Sequence, residues 1–375
     1  MSSRVLVALH KYVSLSVGVL IALIGLSGAS LVFRHSIENA IHPERGVLVP
    51  EGGVVSWEAM FRSALSAVPD GRVFTINAAQ GGDRAYEVYV EHPREPRRLY
   101  VDPYNGRIVT DSREPGTPVA ILFRFHTSLL SGESGGYVVA AIGTALLVLS
   151  ISGFILWWPR RLRGAFRVRW GGNPLALSFD LHRVGGVLFA FLLAMNATTG
   201  IIMVFSTASG KVIEAIAGRA PPLPALPEES RRVGTYRSLD ELVRVADLSF
   251  SSGYITRLRV PRSEGLVTVQ RRVPEDERHP NGLNRVFVDP YTATVVGTLT
   301  AANNPTKTRI WAWLYPLHIG EYFGNWQRVL WLFVGLAPAF MLVTGLTVWW
   351  KRLQARGNRP ASAAAASKMQ RAPEH

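Results

Sequence analysis

The chain has 375 residues and a formal net charge of +14, from 41 lysines and arginines against 27 acidic residues. It contains no cysteine, which excludes disulfides, iron–sulfur clusters, cysteine-rich zinc sites and covalently attached c-type haem. The basic excess does not point to nucleic acid, because the arginines are grouped behind apolar runs, where the positive-inside rule places cytoplasmic segments.

In chain order, Leu9-His10-Lys11 leads into an apolar run over residues 12–33. The small residues Gly28-Ala29-Ser30 imitate a signal-peptide cleavage site, but the run is too long for such a peptide, so it is expected to be retained as transmembrane helix 1. Residues 34–130 are mixed in charge and predict a small α+β domain. It has a helix capped by Ser56 with Met60, Phe61 and Leu65 on one stripe, and strands at 72–77, 85–91 and 98–101. The sequence Asp102-Pro103-Tyr104-Asn105-Gly106 reads as a turn. A short amphipathic segment, 122–130, carries His126. Transmembrane helix 2 is expected at 137–158, closing on Trp157-Trp158, and a basic loop follows at 159–182 with Arg160, Arg161, Arg163, Arg167 and Arg169.

Transmembrane helix 3 is expected at 183–205, since no charged residue interrupts more than 20 positions from Val184 on. Residues 206–325 predict a second α+β domain. The proline-rich stretch at 220–224 is a stiff linker, and Ser238-Leu239-Asp240-Glu241 is a capping box. Strands are expected at 254–260, 265–271 and 284–288, followed by a second Asp-Pro-Tyr turn at Asp289. The segment 311–327 carries His318. Transmembrane helix 4 is expected at 328–350, and the tail, 351–375, reads as disordered and opens with the basic Lys351, Arg352 and Arg356.

The halves repeat each other. Leu181-His182-Arg183 answers Leu9-His10-Lys11, Thr199-Gly200 answers Ser27-Gly28, His318 answers His126, and Thr344-Gly345 with Trp349-Trp350 answers Ser152-Gly153 with Trp157-Trp158. The fold class expected is therefore an α-helical membrane protein: a four-helix transmembrane bundle from a parallel internal repeat, with two small α+β periplasmic domains. Basic segments after helices 2 and 4 put both termini in the cytoplasm.

Repeat-equivalent histidines at the cytoplasmic ends of helices 1 and 3, His10 and His182, can face each other as the two axial ligands of one haem iron. The small residues Ser14 and Gly186, one turn on, leave room for a macrocycle or serve tight helix packing. His126 and His318 form the equivalent pair on the periplasmic side. His35, just past helix 1, has Thr207 rather than a histidine as its counterpart and is an alternative or assisting outer ligand. Two histidines per face without carboxylates make a poor zinc or copper set.

These residues together resemble the PepSY-associated transmembrane proteins: the LH(K/R) helix starts, the Ser-Gly and Thr-Gly pairs, the Val-Asp-Pro-Tyr turns, His126, His318 and the Trp-Trp endings, covering nearly all of the chain to about residue 355. The resemblance implies a multi-pass protein of a bacterial inner membrane with PepSY-like periplasmic domains, and within the family it is similar to the ferric-siderophore (ferrioxamine-type) reductases. It implies two haem b groups, a ferric siderophore as substrate, a separate cytoplasmic electron donor and the lipid bilayer as partner, with no nucleic acid. The expected activity is reduction of siderophore-bound Fe(III) to Fe(II). Two other readings stand beside it: a non-enzymatic PepSY-type regulator or peptide-binding protein, and a transporter. Pro338 is the one helix breaker in the spans, and no charge sits in mid-membrane, which disfavours the transporter.

Overall fold

A computed structural model describes residues 3–47, 53–79, 82–113, 116–158, 164–232, 235–273 and 279–357. In chain order the elements are α1 (Ser3–Leu31), α2 (Arg34–Ile41), α3 (Trp57–Ala67), β1 (Arg72–Asn77), β2 (Tyr86–Glu91), β3 (Arg97–Val101), β4 (Ile108–Arg113), α4 (Pro118–Ser128) and α5 (Gly132–Trp157). They continue with α6 (Pro174–Val204), α7 (Ser206–Ala217), α8 (Leu239–Ser249), β5 (Tyr254–Arg259), β6 (Val267–Arg272), β7 (Asn284–Val288), β8 (Val295–Leu299), α9 (Thr306–Ile319) and α10 (Asn325–Gly357). The chain divides into two compact units: one from residues 1–29, 136–201 and 332–375, the other from 30–135 and 202–331.

Within the first unit, α1, α5, α6 and α10 are long and apolar enough to cross a membrane. The shortest, α5, has 26 residues and so reaches about 39 Å, more than the roughly 30 Å hydrocarbon core. Lipid offers no hydrophobic drive for helix pairing, so contact depends on small residues that let backbones approach. Gly25 and Gly335 do this between α1 and α10: a Cβ on Gly25 would lie 2.6 Å from the Gly335 carbonyl oxygen, and one on Gly335 would lie 2.8 Å from Ala29 Cβ. Gly185 meets Phe340 and Met341 of α10, and Gly143 of α5 meets Ile201 of α6. Each membrane helix continues past the apolar run seen in the sequence: α1 starts at Ser3, α6 at Pro174, and α10 runs on to Gly357. The basic residues Arg160, Arg161 and Arg163 and the tail from 358 lie outside the described residues.

The second unit holds one antiparallel sheet of eight strands in the order β4-β3-β2-β1-β5-β6-β7-β8. Each half is a helix followed by a four-strand meander. The helices are capped as their sequences require: Ser56 Oγ accepts from the Ala59 N–H and Ser238 Oγ from the Glu241 N–H. They also cap each other, since Glu58 accepts from the Leu239 N–H at 2.9 Å and Asp240 from the Glu58 N–H at 3.4 Å. Strand alternation sends Val73, Ile76, Val88, Val90, Leu99, Val101, Leu258, Val267, Val269, Val286 and Val288 to one face, where they close a single core with Met60, Ala64, Leu242 and Ala246.

The two α+β domains expected from the sequence therefore do not stand apart. Each meander ends in an edge strand with unpaired backbone groups, and β1 and β5 satisfy one another in the register Thr75↔Arg259, Ile76↔Leu258, Asn77↔Arg257. Because strands from both halves share a sheet, both halves lie on one side of any membrane the helices cross, which requires an even number of crossings between them. The intervening α5 and α6 supply two.

Candidate functional site

His10 lies in the first third of α1 and His182 in the first third of α6. Their half-buried rings face each other with centroids 6.3 Å apart and planes at 90°. That spacing lies within the range of an edge-to-face ring contact. It also leaves room for a metal centre between the rings, since a metal–imidazole nitrogen bond of about 2.0–2.1 Å, plus about 1.1 Å from nitrogen to ring centre, puts two opposed imidazoles about 6.3 Å apart by centroid.

The backs of both rings are held. His10 Nδ1 lies 2.9 Å from Ser152 Oγ on α5, and His182 Nδ1 lies 3.0 Å from Thr344 Oγ1 and 3.1 Å from the Met341 carbonyl on α10. Ser152 donates its own proton to the Leu149 carbonyl, and Thr344 donates to the Phe340 and Met341 carbonyls. The Met341 carbonyl can only accept, so His182 donates from Nδ1 and keeps the Nε2 lone pair free to bind a metal. At His10 the same tautomer results when the Ser152 proton stays on the Leu149 carbonyl. The neighbouring glycines make room: a Cβ at Gly153 would lie 3.2 Å from His10 Cε1, and one at Gly345 would lie 3.2 Å from His182 Cε1. The Ser-Gly and Thr-Gly pairs, visible in the sequence only as repeat markers, are thus the seats of the two histidines. A Cβ added at Gly186 would lie 3.7 Å from Met341 Sδ, an ordinary contact distance.

In the second unit His126 near the end of α4 and His318 near the end of α9 also lie 6.3 Å apart by ring centroid, at 54°. Both are half-buried. The His318 carbonyl accepts from Trp331 Nε1 at 2.8 Å, and α9 stops one residue later because Gly320 takes φ +80° and caps back to Pro316. A Cβ there would strike Trp331 at 2.9 Å, and φ itself demands glycine. His126 sits three residues before Leu129, which caps α4 in the left-handed region at φ 48°. His35 is brought into no histidine pair that matches these: it is exposed on α2. Crowding by protein lowers its pKa, Arg34 lowers it further, and Glu321, Glu38 and Glu87 oppose the shift. Among the described residues, no group of three or more histidine or carboxylate side chains could hold a metal ion; each histidine pair offers two imidazoles, a donor set that a haem iron accepts. His42 pairs with Glu44, and His279 lies against Tyr315 at 6.0 Å.

The description "PepSY-associated TM region" matches residues 7–352. The chain belongs to the PepSY-associated transmembrane family. As a member, it is a multi-pass membrane protein whose matched region includes both histidine pairs and the whole eight-stranded sheet. No curated protein matches the chain.

Proposed function

We propose that this PepSY-associated protein is a di-haem b electron carrier of a bacterial inner membrane that reduces Fe(III) in siderophores and releases Fe(II). The observation that supports the proposal is the presence of two histidine pairs with the same 6.3 Å ring separation, each wide enough to hold one metal-centred group between the imidazoles. His10 and His182 would hold one haem and His126 and His318 the other. When bound, the haems supply one-electron carrier chemistry at potentials set by ligands and burial.

Chain order supports a direction. In chain order α1 and α6 each lead from a histidine into the segments that build the sheet. Arg167 and Arg169 before α6 and Lys351 and Arg352 at the end of α10 suit the cytoplasmic side, which leaves the sheet in the periplasm with both termini cytoplasmic. Ser152 and Thr344 would orient the inner imidazoles. The electron comes from a separate cytoplasmic donor, and each one delivered converts one chelated Fe(III) to Fe(II), which hard oxygen ligands hold far less tightly.

The purified protein should show a b-type spectrum that sharpens on reduction with dithionite. Adding a ferric siderophore under anaerobic conditions should reoxidise it, with Fe(II) captured by ferrozine. Protein made in haem-replete cells that carries no Soret band would overturn the proposal and favour a regulator that uses the sheet to bind a peptide.

A further inference from the structure

The face of the sheet opposite the core is polar, and its two halves differ in charge. The registers make them directly comparable. In the first half Thr75 pairs with Tyr89, Asn77 with Glu87, and Tyr89 with Arg98. In the second half the corresponding pairs are Arg257 with Gln270, Arg259 with Thr268, and Gln270 with Arg285. The same places thus change from Thr75, Asn77, Glu87 and Arg98 to Arg257, Arg259, Thr268 and Arg285. In the first half Arg98 is balanced by Glu87 at 3.9 Å. The second half has lost that carboxylate and gained two arginines.

The three cations are close, and among the described residues none of them forms an ion pair with an acidic side chain, although Glu87 of the first half acts electrostatically on Arg257. Arg257 and Arg259 alternate on one strand around the core residue Leu258 and so share a face. Arg285 reaches Asn304 at 3.2 Å and Arg257 reaches Asn77 at 2.7 Å, both neutral groups. Burial first and Arg259 second lower the pKa of both Arg257 and Arg285. Holding partly desolvated like charges together is unfavourable unless an anion arrives. The row also adjoins the outer pair: Tyr315 of α9 contributes to the electrostatics of Arg257, and His318 lies three residues on, on the same side of that helix.

We infer that Arg257, Arg259 and Arg285 form a docking site for an anionic ferric chelate of the polycarboxylate class, beside His318. This deepens the reductase reading by naming the substrate's charge: arginine forks bind carboxylates in pairs of hydrogen bonds, whereas a cationic hydroxamate complex would be repelled.

The binding test does not depend on electron transfer. Gallium(III) citrate, a redox-inert stand-in for ferric citrate, is titrated into the full protein by calorimetry, beside the cationic gallium(III) complex of desferrioxamine B. Citrate binding is expected, weakened about tenfold or more by R257Q and by R259Q. T268E, which restores the acid of the first half opposite Arg259, should weaken it similarly. Arg259 is exposed, so R259Q keeps the site testable if R257Q fails to fold. Equal citrate affinity in wild type, R259Q and T268E overturns the inference, as does tighter binding of the cationic complex. Citrate binding that is arginine-dependent while reduced protein is not reoxidised by ferric citrate would leave the site standing and remove the reductase reading.

Discussion

Replacing Ser152 and Thr344 separately tests how the inner histidines are held. Ser152→Ala removes the one hydrogen-bond partner that His10 Nδ1 has among the described residues. Thr344→Val removes one of two, since His182 Nδ1 keeps the Met341 carbonyl at 3.1 Å. A buried donor left unsatisfied costs about 1–3 kcal/mol, and loss of such an outer partner typically weakens metal binding about 10–100-fold. Ser152→Ala should therefore speed haem loss about tenfold or more, and Thr344→Val distinctly less. Haem transfer to excess apomyoglobin measures the rates, and a redox titration of each variant follows the inner potential. If the two variants lose haem at the same rate, and that rate equals wild type, then Ser152 and Thr344 do not position the ligands.

Three further outcomes are expected. On the di-haem proposal, His10→Ala and His182→Ala should each remove about half of the Soret absorbance, while His35→Ala should leave the spectrum intact; loss of a haem in His35→Ala would make it an outer ligand. Gly25→Ala forces backbone apart at the 2.6 Å approach to Gly335 and should cost about 1–3 kcal/mol, whereas Gly18→Ala meets only the end of the Leu342 side chain and should be mild; detergent unfolding curves of the pair compare them. His279, held neutral by burial, with Arg257 and Arg272 lowering it further and Glu321 opposing, titrates at about 4. Its folded pKa lies below the unfolded value of about 6.5, so its contribution to stability is complete above that value and is lost as pH falls toward 4; His279→Gln should flatten the unfolding temperature over that interval.

The membrane spans were legible because apolar length alone marks them, and the histidine pairs because equivalent positions in a repeat point to one another. Caps at Ser56 and Ser238 and the strand over residues 72–77 were legible because their determinants are local. What escaped is non-local or weakly patterned. β4 and β8, with sequences IVTDSR and VVGTL, are short and half-exposed, so neither alternation nor an apolar run announces them. The pairing of β1 with β5 joins residues far apart in the chain and leaves no local signature. Ser152 and Thr344 looked like ordinary membrane-helix hydroxyls, and only the approach of another helix shows what they hold.

The β1–β5 seam has a consequence for biosynthesis. Once the first meander has been made, β1 is an open edge and stays so until α5, α6 and β5 have been made. The edge is exposed to misplaced partners throughout that interval, and its closure is a late, high-separation event. Closure also requires α5 and α6 to have inserted as a full hairpin, because a skipped crossing would strand β5 on the wrong side. The seam thus ties the sheet to the helix crossings: a chain with one crossing missed cannot pair β1 with β5.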